Sequence, residues 1–168
     1  MNIPEVLVVH HTGGTNANPL FDTSNQTMEI VDAYHKSLGW DGIGYNWFIE
    51  KSGLTKKGRD ETKTGAHTIG WNNKSIGVCL AGNFDATYPT PEQIKSFQIL
   101  YKEIVARYPV LTPDKVFPHR KFANKTCYGR KLTDNWASDL ARQALNTISP
   151  PTSKEEIKKQ IVSLLGQL

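Results

Sequence analysis

The sequence predicts an α/β domain, and three observations carry that reading. Short apolar runs at residues 5–10, 45–50 and 75–82 alternate with segments whose apolar residues recur at helical spacing, 23–38, 90–108 and 133–146. The intervening stretches are rich in Gly, Asn and Thr. No apolar run approaches the roughly 18 residues that a membrane span needs, so a soluble protein without membrane partners is expected. A chain of 168 residues suits one compact core. Residues 1–146 are expected to form the domain, 147–152 a linker and 153–168 a short C-terminal helical tail.

Taken in order, EVLVVH (5–10) reads as a buried strand that ends at two histidines before a Thr-Gly-Gly turn. MNIPEVLVV has no basic n-region and no small-residue cleavage site, so it reads as this first strand and not as a signal peptide. Synthesis in the cytoplasm is the expectation, the alternative being that a leader has been lost from this sequence. Thr23 with Gln26 forms a capping box for the first helix. Met28, Val31, Tyr34, His35 and Leu38 share one face of it, and Gly39 stops it. YNWFIE (45–50) is the next strand. Residues 54–70 suggest a short strand and a loop, and SIGVCLAG (75–82) is a central strand.

The second helix is capped by Thr90, with Pro91 at its first position and Gln93 completing the box. Its stripe is Ile94, Phe97, Tyr101, Ile104, Val105 and Tyr108. VFPH (116–119) is a short strand or edge. A third helix, capped by Thr133, buries Trp136, Leu140 and Ala144. TISPPT (147–152) cannot continue a helix. Beyond it Ser153 and Glu156 form another box, and Ile157, Ile161, Leu164, Leu165 and Leu168 form a stripe that must be covered. It could pack back on the domain, make a dimer contact or open a further module; a monomer is the expectation.

The net charge is +4, but residues 114–131 alone carry +5 through Lys115, Arg120, Lys121, Lys125, Arg130 and Lys131 against Asp114. Such a local field favours an anionic partner. Cys79 lies in the central strand and reads as a small buried hydrophobe. A Cys79–Cys127 disulfide would consume a useful thiolate, and cytoplasmic synthesis argues against it.

The chemistry lies in LVVHHTGG (7–14) and HRKFANKTCYG (119–129). His119, Cys127 and one of His10 and His11 make a three-ligand set of the catalytic zinc type, leaving one position for water. Neighbouring strand residues point to opposite faces, so the two adjacent histidines cannot easily share a metal, and parity alone does not choose between them. His119 and Cys127 would lie about 12 Å apart along one helix. Zinc ligand atoms must approach to about 4 Å, so FANKTCYG must be a loop that folds back. That fold brings Lys125 near the thiolate, where it could stabilise an oxyanion. Tyr45 starts a strand behind two glycines. Glu50 is the nearest acid on that strand, but its parity is opposite to that of Tyr45.

VVHHTGG, GWDGIGYNWFIEKSG, GRDE, GAH, NNKSIGVCLAGNF and HRKFANKTCYGRKL occur in the order and spacing of the type 2 N-acetylmuramoyl-L-alanine amidases. The chain resembles this family, which includes amidase-type phage lysozymes and the peptidoglycan recognition proteins, over about residues 5–140. The resemblance implies a central mixed β-sheet flanked by helices with a groove that holds zinc. It implies His10, His119 and Cys127 as the Zn2+ ligands, and Tyr45 and Lys125 as the residues that assist catalysis. His11 would then stand beside the site. Arg59, His67, Trp71 and Asn72 are expected to contact substrate along the groove.

The implied activity is hydrolysis of the amide between N-acetylmuramic acid and L-alanine in peptidoglycan, with anionic wall polymers as further partners. The local blocks resemble the phage branch most. An endolysin held in the host cytoplasm until its release to the cell wall is the expected setting. Tyr128 departs from the Cys-Pro of many members and leaves the backbone more freedom. The alternatives are a recognition module that binds peptidoglycan without cleaving it, or a regulator that binds protein or nucleic acid. The intact ligand set favours the enzyme.

Overall fold

The computed structural model describes residues 1–146. The expected linker at 147–152 and tail helix at 153–168 lie outside the described residues. Five strands form one mixed sheet: β1 (Val6–His11), β2 (Trp47–Ile49), β3 (Thr55–Lys57), β4 (Ser75–Leu80) and β5 (Val116–Pro118), in the order β3-β2-β4-β1-β5. β1 runs parallel to β4 and β5, β2 runs parallel to β4, and only the edge strand β3 is antiparallel, to β2. Three helices accompany them: α1 (Met28–Ser37), α2 (Pro91–Arg107) and α3 (Trp136–Asn146).

β1 and β4 are buried at every residue, which is why both read as continuous apolar runs without alternation. The larger core packs Leu7, Val9, Ile76, Val78 and Leu80 against Phe97, Leu100, Tyr101 and Ile104 of α2 and Leu140, Ala141 and Ala144 of α3. On the opposite face, Phe48 and Cys79 pack with Val31 of α1. The register pairs His10 with Cys79, and Cys79 with Phe48. His10 therefore belongs to the α1 face and His11 to the α2 face.

The capping box of α2 forms as expected: Thr90 Oγ1 accepts from Gln93 N, and Gln93 Oε1 accepts from Thr90 N. Gly39 follows α1 with φ +84°, the left-handed geometry expected of its stop. Two helix starts differ from the sequence reading. α1 begins at Met28, with Thr27 as its cap. The hydroxyl of buried Thr23 is engaged elsewhere, donating to the Gly13 carbonyl and accepting from Thr12. α3 begins at Trp136, and Thr133 takes the Trp136 amide on its carbonyl and not on its side chain. β2 is also shorter than its apolar run, which leaves Tyr45 in the loop before it. Tyr34 and Leu38 of the α1 stripe are more than half exposed, so only Val31 and His35 are buried there.

Candidate metal centre and cleft

Parallel strands leave their C-terminal ends on one side of a sheet, and ligands bind in the crevice outside those ends in open α/β folds. β1 ends there at His10 and His11, and β5 ends at Pro118, so His119 emerges beside His10. The two imidazole centroids are 4.5 Å apart. Cys127 Sγ lies 3.8 Å from His10 Nδ1. One donor atom from each of His10, His119 and Cys127 falls within 4.8 Å of the others. His11 points the other way. Its Nδ1 accepts the Phe84 amide at 2.9 Å, and its ring lies against Phe84, so it supports the loop after β4.

The segment from 120 to 132 does fold back. Arg120 N donates to the Cys127 carbonyl at 2.7 Å, closing the loop onto the residue after His119. The Arg120 guanidinium then donates to the carbonyls of Gly129 and Leu132, each at 2.7 Å, and to Asp134 at 2.6 Å. From the other side Asp85 accepts from the Thr126 hydroxyl and the Arg130 amide, both at 2.7 Å. Tyr128, where a proline would stiffen the chain, is fully buried, and its hydroxyl lies 3.0 Å from the carbonyls of Thr133 and Asp134. The tyrosine anchors the loop through its side chain. Arg120 and Asp85 are thus positioning residues that sequence reading missed. Arg120 was counted only as one charge in a basic run.

The electrostatics suit a cation held by two neutral imidazoles and a thiol that the cation itself would deprotonate. Burial, then the charges of His67 and His119, holds His10 well below the usual imidazole range. Burial and nearby Lys125 bring His119 to about 4. Both imidazoles are therefore neutral at pH 7 and can offer lone pairs. Burial pushes the Cys127 thiol up to about 12, because a thiolate there has no sufficient counter-charge. A bound divalent cation reverses that preference, since a coordinating thiol loses its proton. Two bonds of about 2.0–2.3 Å at a tetrahedral angle place their donors roughly 3.3–3.8 Å apart, and the His10–Cys127 pair is already at that upper limit. The donor set fits zinc.

These residues lie in a cleft of about 610 Å³, with Tyr45 and Lys125 also in its wall. Tyr45 is half-buried, its ring 5.1 Å from that of His10. Burial pushes its phenol well above the usual range, so it carries its proton. Lys125 is exposed at the rim. His35 and Trp40, their rings tilted by 32° with centroids 4.6 Å apart, extend the wall, though His35 had been read only as part of a helix stripe.

Of the four expected substrate contacts, His67 lines the cleft while Arg59, Trp71 and Asn72 do not. Arg59 donates to the carbonyls of Ile43 and Thr64. Trp71 packs on Phe122, and Asn72 accepts the amides of His67 and Thr68. Glu50 is paired with Lys56 at 2.8 Å and is not among the residues lining the cleft.

Comparison with known proteins agrees with this geometry. The profile described as N-acetylmuramoyl-L-alanine amidase matches residues 1–130. Peptidoglycan-recognition protein SC2 of Drosophila melanogaster is 33% identical over 126 residues, 74% of this chain and 68% of that protein. The endolysin of Escherichia phage T7 is 33% identical over 120 residues, 68% of this chain and 77% of that protein. Among solved structures, the N-acetylmuramoyl-L-alanine amidase LysC from Clostridium intestinale superposes with a TM-score of 0.70 at 30% identity, covering 88% of each chain.

Proposed function

The chain belongs to the N-acetylmuramoyl-L-alanine amidase family, and on that premise we propose that it is a zinc hydrolase. Its substrate would be peptidoglycan, cut at the amide between the lactyl group of N-acetylmuramic acid and the L-alanine of the stem peptide. The observation that carries the proposal is the convergence of His10, His119 and Cys127 in an open cleft beside Tyr45 and Lys125. A structural zinc site is closed by four protein ligands, whereas three ligands facing a cleft leave room for substrate.

His10, His119 and Cys127 would hold the zinc. Bound there, zinc supplies a Lewis acid that activates water and polarises a carbonyl. The remaining work falls to the chain. Tyr45 keeps its proton and can donate a hydrogen bond to oxygen that becomes negative during attack. Lys125 brings a full positive charge to the rim, where the same oxygen and the peptide carboxylates gain from it. Thr126 and Asp85 fix the loop on which Lys125 rides.

Anionic wall polymers would meet a weaker field than residues 114–131 alone imply, because Asp134, just beyond that segment, is paired with Arg120 at 2.6 Å. The likeness to phage endolysins supports a lytic role, with the enzyme kept in the host cytoplasm until release to the wall. Among the described residues no helix is long and apolar enough to cross a membrane.

Mass spectrometry of the products from purified cell walls tests the reading. Stem peptides with a free L-alanine amino terminus, alongside intact glycan, are expected, and a zinc chelator should stop their release. New reducing sugar ends would point to glycan cleavage instead. Walls that bind the protein but release nothing would make it a recognition module.

A further inference from the structure

We propose that His67 positions His10 for metal binding by accepting the proton on the far nitrogen of its ring. The proposal rests on the zinc reading above. His10 turns Nδ1 toward Cys127, at 3.8 Å from Sγ, so Nδ1 is the atom that would bind the metal. An imidazole that gives one nitrogen to a metal carries its proton on the other, and the partner of that N–H fixes the tautomer and the ring plane. In this protein Nε2 of His10 lies 3.2 Å from Nδ1 of His67 and 3.4 Å from Oγ1 of Thr68. Thr68 Oγ1 is 2.9 Å from the same His67 nitrogen. Among the described residues no carboxylate takes this place.

The acceptor is built in, not adventitious. The His67 ring lies flat on the backbone of Gly77 in β4, where an added Cβ would fall 2.6 Å from ring carbons. Gly65 approaches the same ring, with an added Cβ again at 2.6 Å. Only glycine at both positions leaves room for the imidazole. The backbone is pinned as well, since Asn72 Oδ1 accepts both the His67 and Thr68 amides at 2.8 and 2.7 Å. With Nδ1 as acceptor, the His67 proton sits on Nε2, which is buried with no hydrogen-bond partner among the described residues. An orphaned buried donor is unfavourable, so the ring is held there for what its other nitrogen does. His67 is 9% exposed, with its acceptor turned to His10 and not to the opening.

Two substitutions separate positioning from packing. His67→Phe keeps a ring in the glycine cradle but deletes the acceptor. His67→Asn fills the cradle poorly but keeps an oxygen near the place of Nδ1. Zinc affinity of the full chain, measured by competition with a chromophoric chelator, should fall about 10–100-fold in His67→Phe. In His67→Asn it should stay within a few-fold of wild type. The reverse order, or wild-type affinity in His67→Phe, overturns the proposal.

A measurement on the unmodified chain stands even if a variant does not fold. Nitrogen-15 NMR of the zinc-loaded protein should show a slowly exchanging Nε2 proton on His10 coupled across the hydrogen bond to His67 Nδ1. A proton on His10 Nδ1, or an Nε2 proton without that coupling, overturns it. His10→Ala run in parallel isolates the premise. If wild type and His10→Ala bind zinc equally poorly, the zinc reading itself fails. If wild type binds tightly, His10→Ala does not, and His67→Phe matches wild type, only the role of His67 fails.

Discussion

Replacing Arg120 with methionine should loosen the metal centre without removing any donor. Two of the guanidinium bonds, to the carbonyls of Gly129 and Leu132, are 2.7 Å long and charge-assisted. Bonds of that kind contribute about 1.5–3 kcal/mol each. The Asp134 carboxylate is 75% exposed, so that ion pair adds less than about 1 kcal/mol. The 3.4 Å approach to Thr126 is too long to count for much. Water can re-solvate part of what is freed, which brings the total to about 3 kcal/mol.

If that loss falls on the ordering of the 126–132 loop, the thiolate must be immobilised when metal binds. At about 1.4 kcal/mol per decade, zinc affinity then drops by up to roughly 100-fold. Chelator competition on Arg120→Met and wild type, with circular dichroism to verify the fold, makes the comparison. Arg120→Lys should fall between them, because one ammonium cannot span two carbonyls as a guanidinium does. Zinc affinity within twofold of wild type in Arg120→Met would refute the reasoning and leave Asp85 and Tyr128 as sufficient anchors.

Three further outcomes are expected. Elemental analysis should find about one zinc per chain, lost in His10→Ala and His119→Ala; His11→Ala should keep the metal yet unfold more easily, since the Phe84 amide loses its acceptor. Lys125→Ala should keep zinc and wall binding while turnover falls about 10²–10³-fold, and Tyr45→Phe should lower kcat more than it weakens binding. Burial pushes the Tyr101 phenol, which donates to the Leu111 carbonyl at 2.9 Å, up to about 12. Its folded pKa is raised, so the unfolded chain loses that proton first; stability is fully present below about pH 10 and is lost as pH rises toward 12. Urea titrations across that window should show the decline, and Tyr101→Phe should flatten it.

How much was legible depends on the range of the interactions involved. The strands at 6–11 and 75–80 and the helix at 91–107 were plain because burial on both faces and a complete capping box are written in consecutive residues. Thr23 shows the opposite case. Its sequence neighbours make a good cap, but contacts with Gly13 and Thr12 claim its hydroxyl, and local pattern cannot register them. The candidate metal donors were visible as residue types, and the need for a returning loop followed from reach alone. The choice between His10 and His11 required either the family likeness or the register of β1 against β4. Arg120, Asp85 and His35 were hidden because their partners are carbonyls, amides and rings that only the folded loops bring to them. Arg59, Trp71 and Asn72 were read as groove residues because a groove for sugar and peptide needs polar and aromatic contacts, whereas in the structure their side chains bond or pack against neighbouring loop residues and do not line the cleft.

The place of β1 between β4 and β5 has a consequence for biosynthesis. β1 gains one parallel neighbour only after residue 80 is made and the other only after residue 118. Pairing over such separations is slow, because a long loop must close before any contact rewards it. His10 consequently waits for more than a hundred residues before its two companion donors exist. On the proposed zinc reading, metal capture would be a late event that ties residue 10 to residues 119 and 127, and part of the binding free energy would become folding free energy. Zinc scarcity during expression should therefore show itself as poor yield of folded chain before it shows as weak activity.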